Sequence, residues 1–186
     1  MKLKVVVCLL AFFSFTAAAA FAQDTPKFDI FAGYSYVRDN PSTSGVSSFN
    51  LHGGSASIAY NANHWLSAVA DFGGYHANNI LGSGVDGTVS TFLFGPRLSY
   101  RHFGRVTPFA QTLFGVAHAS GSGFGINSTD NAFAASFGGG VDLRLSHHFS
   151  FRPAQVEYLL TRFPETSASR ETQNNLRLST GIVFHF

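Results

Sequence analysis

The sequence predicts an all-β protein in which eight antiparallel up-and-down strands close into a transmembrane β-barrel, and three observations support this fold class. The side chains of residues 176–186 alternate between apolar and polar, as in a β-strand that has one apolar face and one polar face. Charged residues make up only 12% of the chain, about half the usual share in soluble domains. No apolar run after the N-terminus approaches the roughly 20 residues of a spanning helix, and a closed barrel is the other backbone arrangement that lipid allows.

The N-terminus has the features of a secretory signal peptide. Residues 1–22 combine two lysines, an apolar segment and an Ala-Phe-Ala cleavage sequence. We therefore expect residues 23–186 to form one barrel domain. The only cysteine, Cys8, lies in the signal, so a disulfide or thiolate metal site is not expected. Loss of Lys2 and Lys4 leaves equal numbers of basic and acidic residues, which argues against nucleic acid as a partner.

Eight strands can be placed from the alternation of apolar residues and from the turn-forming residues between them. The predicted strands are Lys27–Val37, Ser48–Tyr60, Trp65–Tyr75, Thr88–Tyr100, Val106–Ala117, Ala132–Leu145, Phe149–Leu160 and Gln173–Phe186.

The joins between these strands alternate in length. The short ones are Asn61–His64, Arg101–Arg105 and Ser146–His148, and the long ones are Arg38–Ser47, His76–Gly87, His118–Asn131 and Thr161–Thr172. Short periplasmic turns and long outer loops are typical of membrane barrels, and this pattern predicts periplasmic N- and C-termini. The loop His118–Asn131 is the best candidate for binding a surface ligand.

Aromatic residues cluster near the short joins, where a periplasmic aromatic girdle is expected. They are Tyr60, Trp65, Tyr100, Phe103 and Phe149.

Three prolines interrupt the predicted strands, although proline cannot donate to a strand ladder. We expect Pro108 to open its strand and Pro153 to mark a bulge that shifts the inward and outward phases after Arg152. For Pro96 we expect a local defect in pairing. The triplet Gly138-Gly139-Gly140 either lets the wall bend or accommodates bulky inward side chains.

The strand faces opposite the apolar ones carry charged and amide residues. An eight-stranded barrel has an interior only wide enough for side chains to fill, so acids and bases placed there must pair. We therefore predict a structural polar network rather than a catalytic site, without assigning partners. Its members are Asp71, Arg97, Gln111, Asp142, Glu157 and Arg177.

This pattern resembles the OmpA-type eight-stranded barrels within the outer-membrane β-barrel proteins. We expect a small single-domain barrel, without the peptidoglycan-binding domain that follows the barrel in OmpA. The closing strand, with Phe184 and Phe186 on its apolar face, resembles the ending that barrel assembly machinery recognises. The resemblance implies a location in the outer membrane of a Gram-negative cell. It also implies membrane lipids, periplasmic chaperones and the assembly machinery as partners.

The predicted function is a structural, envelope-integrity or surface-interaction role with a closed polar interior, no cofactor and no enzymatic activity. One alternative is a lipid A-modifying enzyme with a Ser–His–Glu triad, for which His148, Ser150 and Glu157 are the candidates. Another is a narrow diffusion pore. The eight histidines show no metal-ligand spacing, and we expect them in exposed turns and loops.

Overall fold

The structure is a computed structural model that describes residues 25–39, 48–78, 86–123, 126–164 and 170–186. The predicted signal peptide, residues 1–22, lies outside the described residues. The strands are β1 (Phe28–Asp39), β2 (Phe49–Asn61), β3 (Leu66–Ala77), β4 (Asp86–Ser99), β5 (Val106–Gly123), β6 (Ile126–Arg144), β7 (Phe149–Pro164) and β8 (Arg170–His185).

The strands form a closed barrel in sequence order. Each strand pairs antiparallel with the next, and β8 returns to pair with β1, where Ala32 lies opposite Ile182. This closure confirms the predicted fold class. In the part of the chain that the structure describes, no helix is long and apolar enough to cross a membrane.

Side chains alternate between the interior and the outer surface along the strands, as the pleat requires, except at an irregularity in β7. On β4, Leu93 is buried at 3% exposure whereas its neighbour Phe94 is 64% exposed. The outer face is rich in such large apolar groups, while most buried polar side chains lie inside. The predicted girdle residues all face outward near the short turns: Tyr60, Trp65, Tyr100, Phe103 and Phe149.

The two ends of the barrel differ in their connections. At one end, which we call the short-turn end, the strands are joined through residues 62–65, 100–105 and 145–148. The start of β1 lies at this end against the end of the chain, since the Phe28 amide donates to the Phe186 carbonyl at 3.1 Å. The opposite end is the long-loop end.

The prediction of a long loop at His118–Asn131 is wrong. β5 and β6 continue in regular register through His118↔Asn131 to Gly123↔Ile126, so only residues 124 and 125 lie outside the described hairpin. The Gly, Ser and Asn content of this segment is typical of loops. Cross-strand pairing satisfies the backbone hydrogen bonds of such residues equally well, and the ladder therefore extends beyond the predicted strand ends.

Two of the three strand prolines considered above coincide with irregular pairing. Pairing of β7 with β8 shifts between Arg152 and Gln155, so that Pro153 and Ala154 both face outward, and this confirms the predicted bulge. Pairing of β4 with β5 is interrupted at Gly95 and Pro96 but resumes in the same register, as expected of a local defect. The expectation that Pro108 opens its strand is wrong, because β5 begins at Val106 and Pro108 lies opposite Val141 within the ladder.

Glycines make room for large interior side chains. A Cβ on Gly181 would lie 2.6 Å from the Gly33 Cα and 2.8 Å from the Phe31 ring, so this aromatic ring occupies space that the glycine leaves free. A Cβ on Gly138 would lie 2.8 Å from the Glu157 Cγ. At Gly138, the glycine triplet therefore accommodates inward bulk.

Replacing Gly181 with alanine should destabilise the barrel, because the new methyl group overlaps the backbone of β1 and the Phe31 ring. We expect Gly181→Ala to lower the free energy of unfolding in detergent by about 1–3 kcal/mol. Gly74→Ala is the matched control, since a Cβ there meets nothing within 4 Å. Equal stability of the two variants in urea titrations would contradict the steric argument.

Candidate functional site: the polar interior

Strand register places the centre of the interior network in one row. Arg97 lies opposite Gln111, Gln111 opposite Gly138, Gly138 opposite Glu157, and Glu157 opposite Arg177. Directly opposed residues on one face of a sheet lie close enough for their side chains to interact. The row therefore brings together side chains from β4, β5, β7 and β8.

Glu157 is the principal acceptor of this network. Its Oε1 accepts hydrogen bonds from Gln111 Nε2 and Ser136 Oγ, both at 2.8 Å. Its Oε2 accepts from Gln155 Nε2 and Arg177 Nε, both at 2.7 Å. Arg177 Nη2 lies 2.5 Å from the same oxygen without hydrogen-bond geometry. Four donors thus compensate a carboxylate that is only 1% exposed.

Arg177 connects this row to the opposite side of the lumen. Its Nη1 donates to Asp71 Oδ1 at 2.7 Å and to the Tyr75 hydroxyl at 3.0 Å, and both acceptors lie on β3. Arg177 is fully buried, and β3 is not adjacent to β8 in the sheet. One guanidinium group therefore spans the barrel interior.

Arg152 forms a second ionic layer nearer the short-turn end. It donates to both carboxylate oxygens of Asp142, from Nε at 2.6 Å and from Nη2 at 2.9 Å, and to Gln155 at 2.6 Å. Its guanidinium carbon lies 4.5 Å from the centre of the Phe31 ring and 4.4 Å from that of Phe109. A bidentate ion pair and two cation–π contacts hold this fully buried charge.

Arg97 differs from the other interior arginines. We expected it in a charge pair, but no carboxylate of the described residues lies within ion-pair distance of it. Its Nε instead donates to Gln111 Oε1 at 2.8 Å, and its guanidinium carbon lies 4.6 Å from the centre of the Phe109 ring. The expected ion pair is therefore wrong because the residue opposite Arg97 in the register is an amide.

A separate cluster closes the short-turn end, and we call it the mouth cluster: Asp29, Asn61, Arg101, Ser150 and His185. Asp29 accepts from Arg101 at 3.1 Å and Asn61 at 2.9 Å. Its other oxygen lies 2.7 Å from His185 Nδ1, and His185 Nε2 lies 2.7 Å from Ser150 Oγ. Side chains from β1, β2, β7 and β8 therefore meet at this end.

A family model for the outer membrane protein beta-barrel domain matches residues 7–186. The chain belongs to this outer-membrane β-barrel family. No curated protein shows significant sequence similarity to the chain.

Solved structures show the same fold. Neisserial surface protein A is 14% identical with a TM-score of 0.71, over 88% of this chain and 100% of that one. The attachment invasion locus protein Ail of Yersinia pestis is 15% identical with a TM-score of 0.61, over 87% and 99%. The N-terminal barrel of Pseudomonas aeruginosa OprF is 15% identical with a TM-score of 0.55, over 87% and 98%. These likenesses show a shared barrel fold.

The structure places every predicted network residue in the barrel wall facing inward. Five of them are buried, and Asp142 is half-buried. The predicted network did not include Arg152. The bulge that follows this residue interrupts the inward and outward alternation of β7, so the alternation alone does not show that Arg152 faces inward. The predicted network also did not include the mouth cluster, although Asp29 and His185 stand in the inward phase of their strands.

The predicted positions of the histidines need correction. His185 was expected in an exposed turn or loop, but it is buried at 7% exposure. His52, His76 and His118 lie on strands, facing outward. Among the described residues, no group of three His, Cys, Asp or Glu side chains could hold a metal ion.

The candidate triad of the enzymatic alternative does not assemble. Ser150 faces the interior and contacts His185, while His148 is exposed in a turn and Glu157 belongs to the central network.

Phe184 packs on Phe149 with ring centres 5.0 Å apart, and Phe186 is 66% exposed. Their role as an assembly signal stays a prediction.

Removing the Arg177 charge should destabilise the barrel strongly, because two buried carboxylates lose their shared cation. We expect Arg177→Gln to lower the free energy of unfolding by about 3–5 kcal/mol. The double variant Arg177→Gln/Glu157→Gln should recover part of this loss, since one stranded charge is also removed. The measurement is urea unfolding of the refolded barrel.

Arg162→Gln is the control for this series, because Arg162 is exposed on the outer face of β7 and its loss should change stability little. A double variant that is less stable than Arg177→Gln alone would contradict the role assigned to the central ion pairs.

Proposed function

We propose that the protein is a closed, non-conducting barrel that serves envelope integrity or surface interaction in the outer membrane of a Gram-negative cell. The observation that carries this proposal is the ionic filling of the lumen. Arg152, Glu157 and Arg177 are all at most 1% exposed, and their contacts reach across the interior. Ion conduction would require these charges to separate within a poorly hydrated interior, which is unfavourable.

Two cavities inside the described part of the barrel are small. One of about 20 Å³ lies toward the long-loop end beside Tyr75 and Leu159, and one of about 10 Å³ lies at the short-turn end beside Arg97. Volumes of this size hold about one water molecule each. They support a plugged barrel rather than the alternative of a diffusion pore.

The orientation that we propose has the long-loop end outside the cell and both termini in the periplasm. The outward residues of the β5–β6 hairpin change from Phe114 and Val116 to His118, whose Nδ1 lies 2.8 Å from Asn131 Oδ1. An apolar band that ends in polar residues matches the boundary between lipid chains and headgroups. The hairpin beyond Val116 is therefore the element we assign to contact with a surface ligand.

Outer-membrane lipids are the partners of the exposed apolar faces in this proposal. Phe94, Phe114 and Phe137 are each more than half exposed, and burial in acyl chains removes this apolar surface from water. Assembly machinery and periplasmic chaperones act on the chain before that burial is complete.

A non-enzymatic role fits the mouth cluster better than a hydrolase does. Ser150, His185 and Asp29 have the hydrogen-bond order of a catalytic triad. Ser150 is only 2% exposed, however, and the adjoining cavity of about 10 Å³ has no room for an acyl ester. Asp29 also binds Arg101 and Asn61, as a structural cluster that closes the barrel does.

The purified, refolded protein should give no stable unit conductance in planar bilayers, because the Arg177 contacts block the lumen. An open porin measured in the same lipid serves as the positive control. Reproducible single-channel steps at physiological salt would contradict the closed barrel.

Epitope insertion tests the orientation. An epitope after Gly123, at the tip of the β5–β6 hairpin, should bind antibody on intact cells. An epitope between His147 and His148, in a short turn, should bind only after the outer membrane is permeabilised. The reversed pattern would place the long-loop end in the periplasm and remove the case for surface interaction through this hairpin.

A further inference from the structure

We propose that the short-turn end of the barrel binds a small monoatomic anion, of which chloride is the physiological example, between the guanidinium groups of Arg97 and Arg101. This inference concerns a binding site and is independent of the proposed function. Three observations carry it: a buried cation without an ion-pair partner, unused buried donors, and a small cavity lined by both arginines.

Arg97 is a buried charge without a carboxylate partner among the described residues. The residue is 3% exposed, and its Nη2 has no hydrogen-bond partner. Its contacts are the Gln111 amide at 2.8 Å and the face of the Phe109 ring. An unpaired charge in such an environment is costly, and an anion within reach of Nη2 would compensate it.

Arg101 supplies a second unused donor at the same end. Its side chain is 10% exposed, and its Nη2 donates to Asp29 at 3.1 Å and to Asn61 at 3.0 Å. Its Nε is buried without a hydrogen-bond partner. Guanidinium N–H groups that remain free after the other contacts are made are well suited to an anion.

A cavity of about 10 Å³ lies at this end of the barrel, and we call it the mouth cavity. Both arginines line it, together with the hydroxyl-bearing residues Ser99, Thr107 and Ser150. This volume corresponds to about one water-sized particle. A monoatomic anion is only slightly larger than a water molecule, whereas phosphate, sulfate and a carboxylate are polyatomic and too large for this cavity.

The charges around the mouth cavity favour an anion over a cation. Two carboxylates line it, but Asp29 is paired with Arg101 and Asp142 is paired with Arg152. The charge of Arg97 is left over, and the exposed Arg144 at the rim adds a further positive charge. A cation would face this excess positive charge, whereas an anion would neutralise part of it.

The direct test is diffraction from crystals of the full mature barrel grown in sodium bromide, since bromide is an anomalous scatterer that replaces chloride. We expect an anomalous peak within hydrogen-bond distance of Arg97 and Arg101. Absence of a peak in the mouth cavity, or peaks only on the outer surface, would overturn the proposal. This experiment requires only the wild-type protein, so its result does not depend on whether a variant folds.

Thermal unfolding gives a second readout in solution. A ligand that binds only the folded state raises its stability, so the melting temperature in chloride should exceed that in gluconate at equal ionic strength and pH, by roughly 2–5 °C at saturation. Arg97→Gln should abolish this difference. Arg105→Gln, at an exposed turn residue, should retain it.

Equal melting temperatures of the wild type in the two salts would mean that water rather than an anion occupies the mouth cavity, and would overturn the proposal. The same holds if Arg97→Gln keeps the full chloride response. Neither result bears on conductance or orientation, so the two proposals fail separately.

Discussion

The interior of this barrel depends on the contacts of one guanidinium group, that of Arg177, with Glu157 on the neighbouring strand and Asp71 across the lumen. Eight strands enclose too little space for bulk water, so charges in the interior must be compensated by one another. A planar group with several donors can meet acceptors in more than one direction, which a lysine ammonium cannot do with the same geometry. Gln111, Ser136 and Gln155 donate the other hydrogen bonds that Glu157 accepts, and the Tyr75 hydroxyl accepts one from Arg177.

The side-chain alternation of the sequence was sufficient to predict the strand number, the inward and outward faces and the residues of the central row. Alternation is a local property, so parity alone places Glu157 and Arg177 inside. The hydrogen-bond and ion-pair partners of these side chains could not be predicted in the same way, because they depend on the register between strands. Arg97 shows this: its inward position was predicted, but the residue opposite it is Gln111 rather than an acid.

Two further features lay outside the reach of sequence patterns. The length of the β5–β6 hairpin reflects backbone pairing between residues whose side chains are typical of loops. The mouth cluster joins residues from both ends of the chain, and neither Asp29 nor His185 stands in a recognisable motif. Glycine positions such as Gly138 could be noticed in the sequence, but their purpose becomes clear only when the opposing side chain is known.

The hydrogen bond between Asp29 and His185 has a consequence for the order of folding. The two residues are 156 positions apart in the chain, whereas the other strand pairs join neighbours in sequence. Contacts at large sequence separation carry the largest entropy cost of formation, and they form after local hairpins have shortened the effective chain between them. The bond between these two side chains requires β1 and β8 to lie side by side, so its presence reports a closed barrel, in which the edges of the first and last strands are no longer available to other chains.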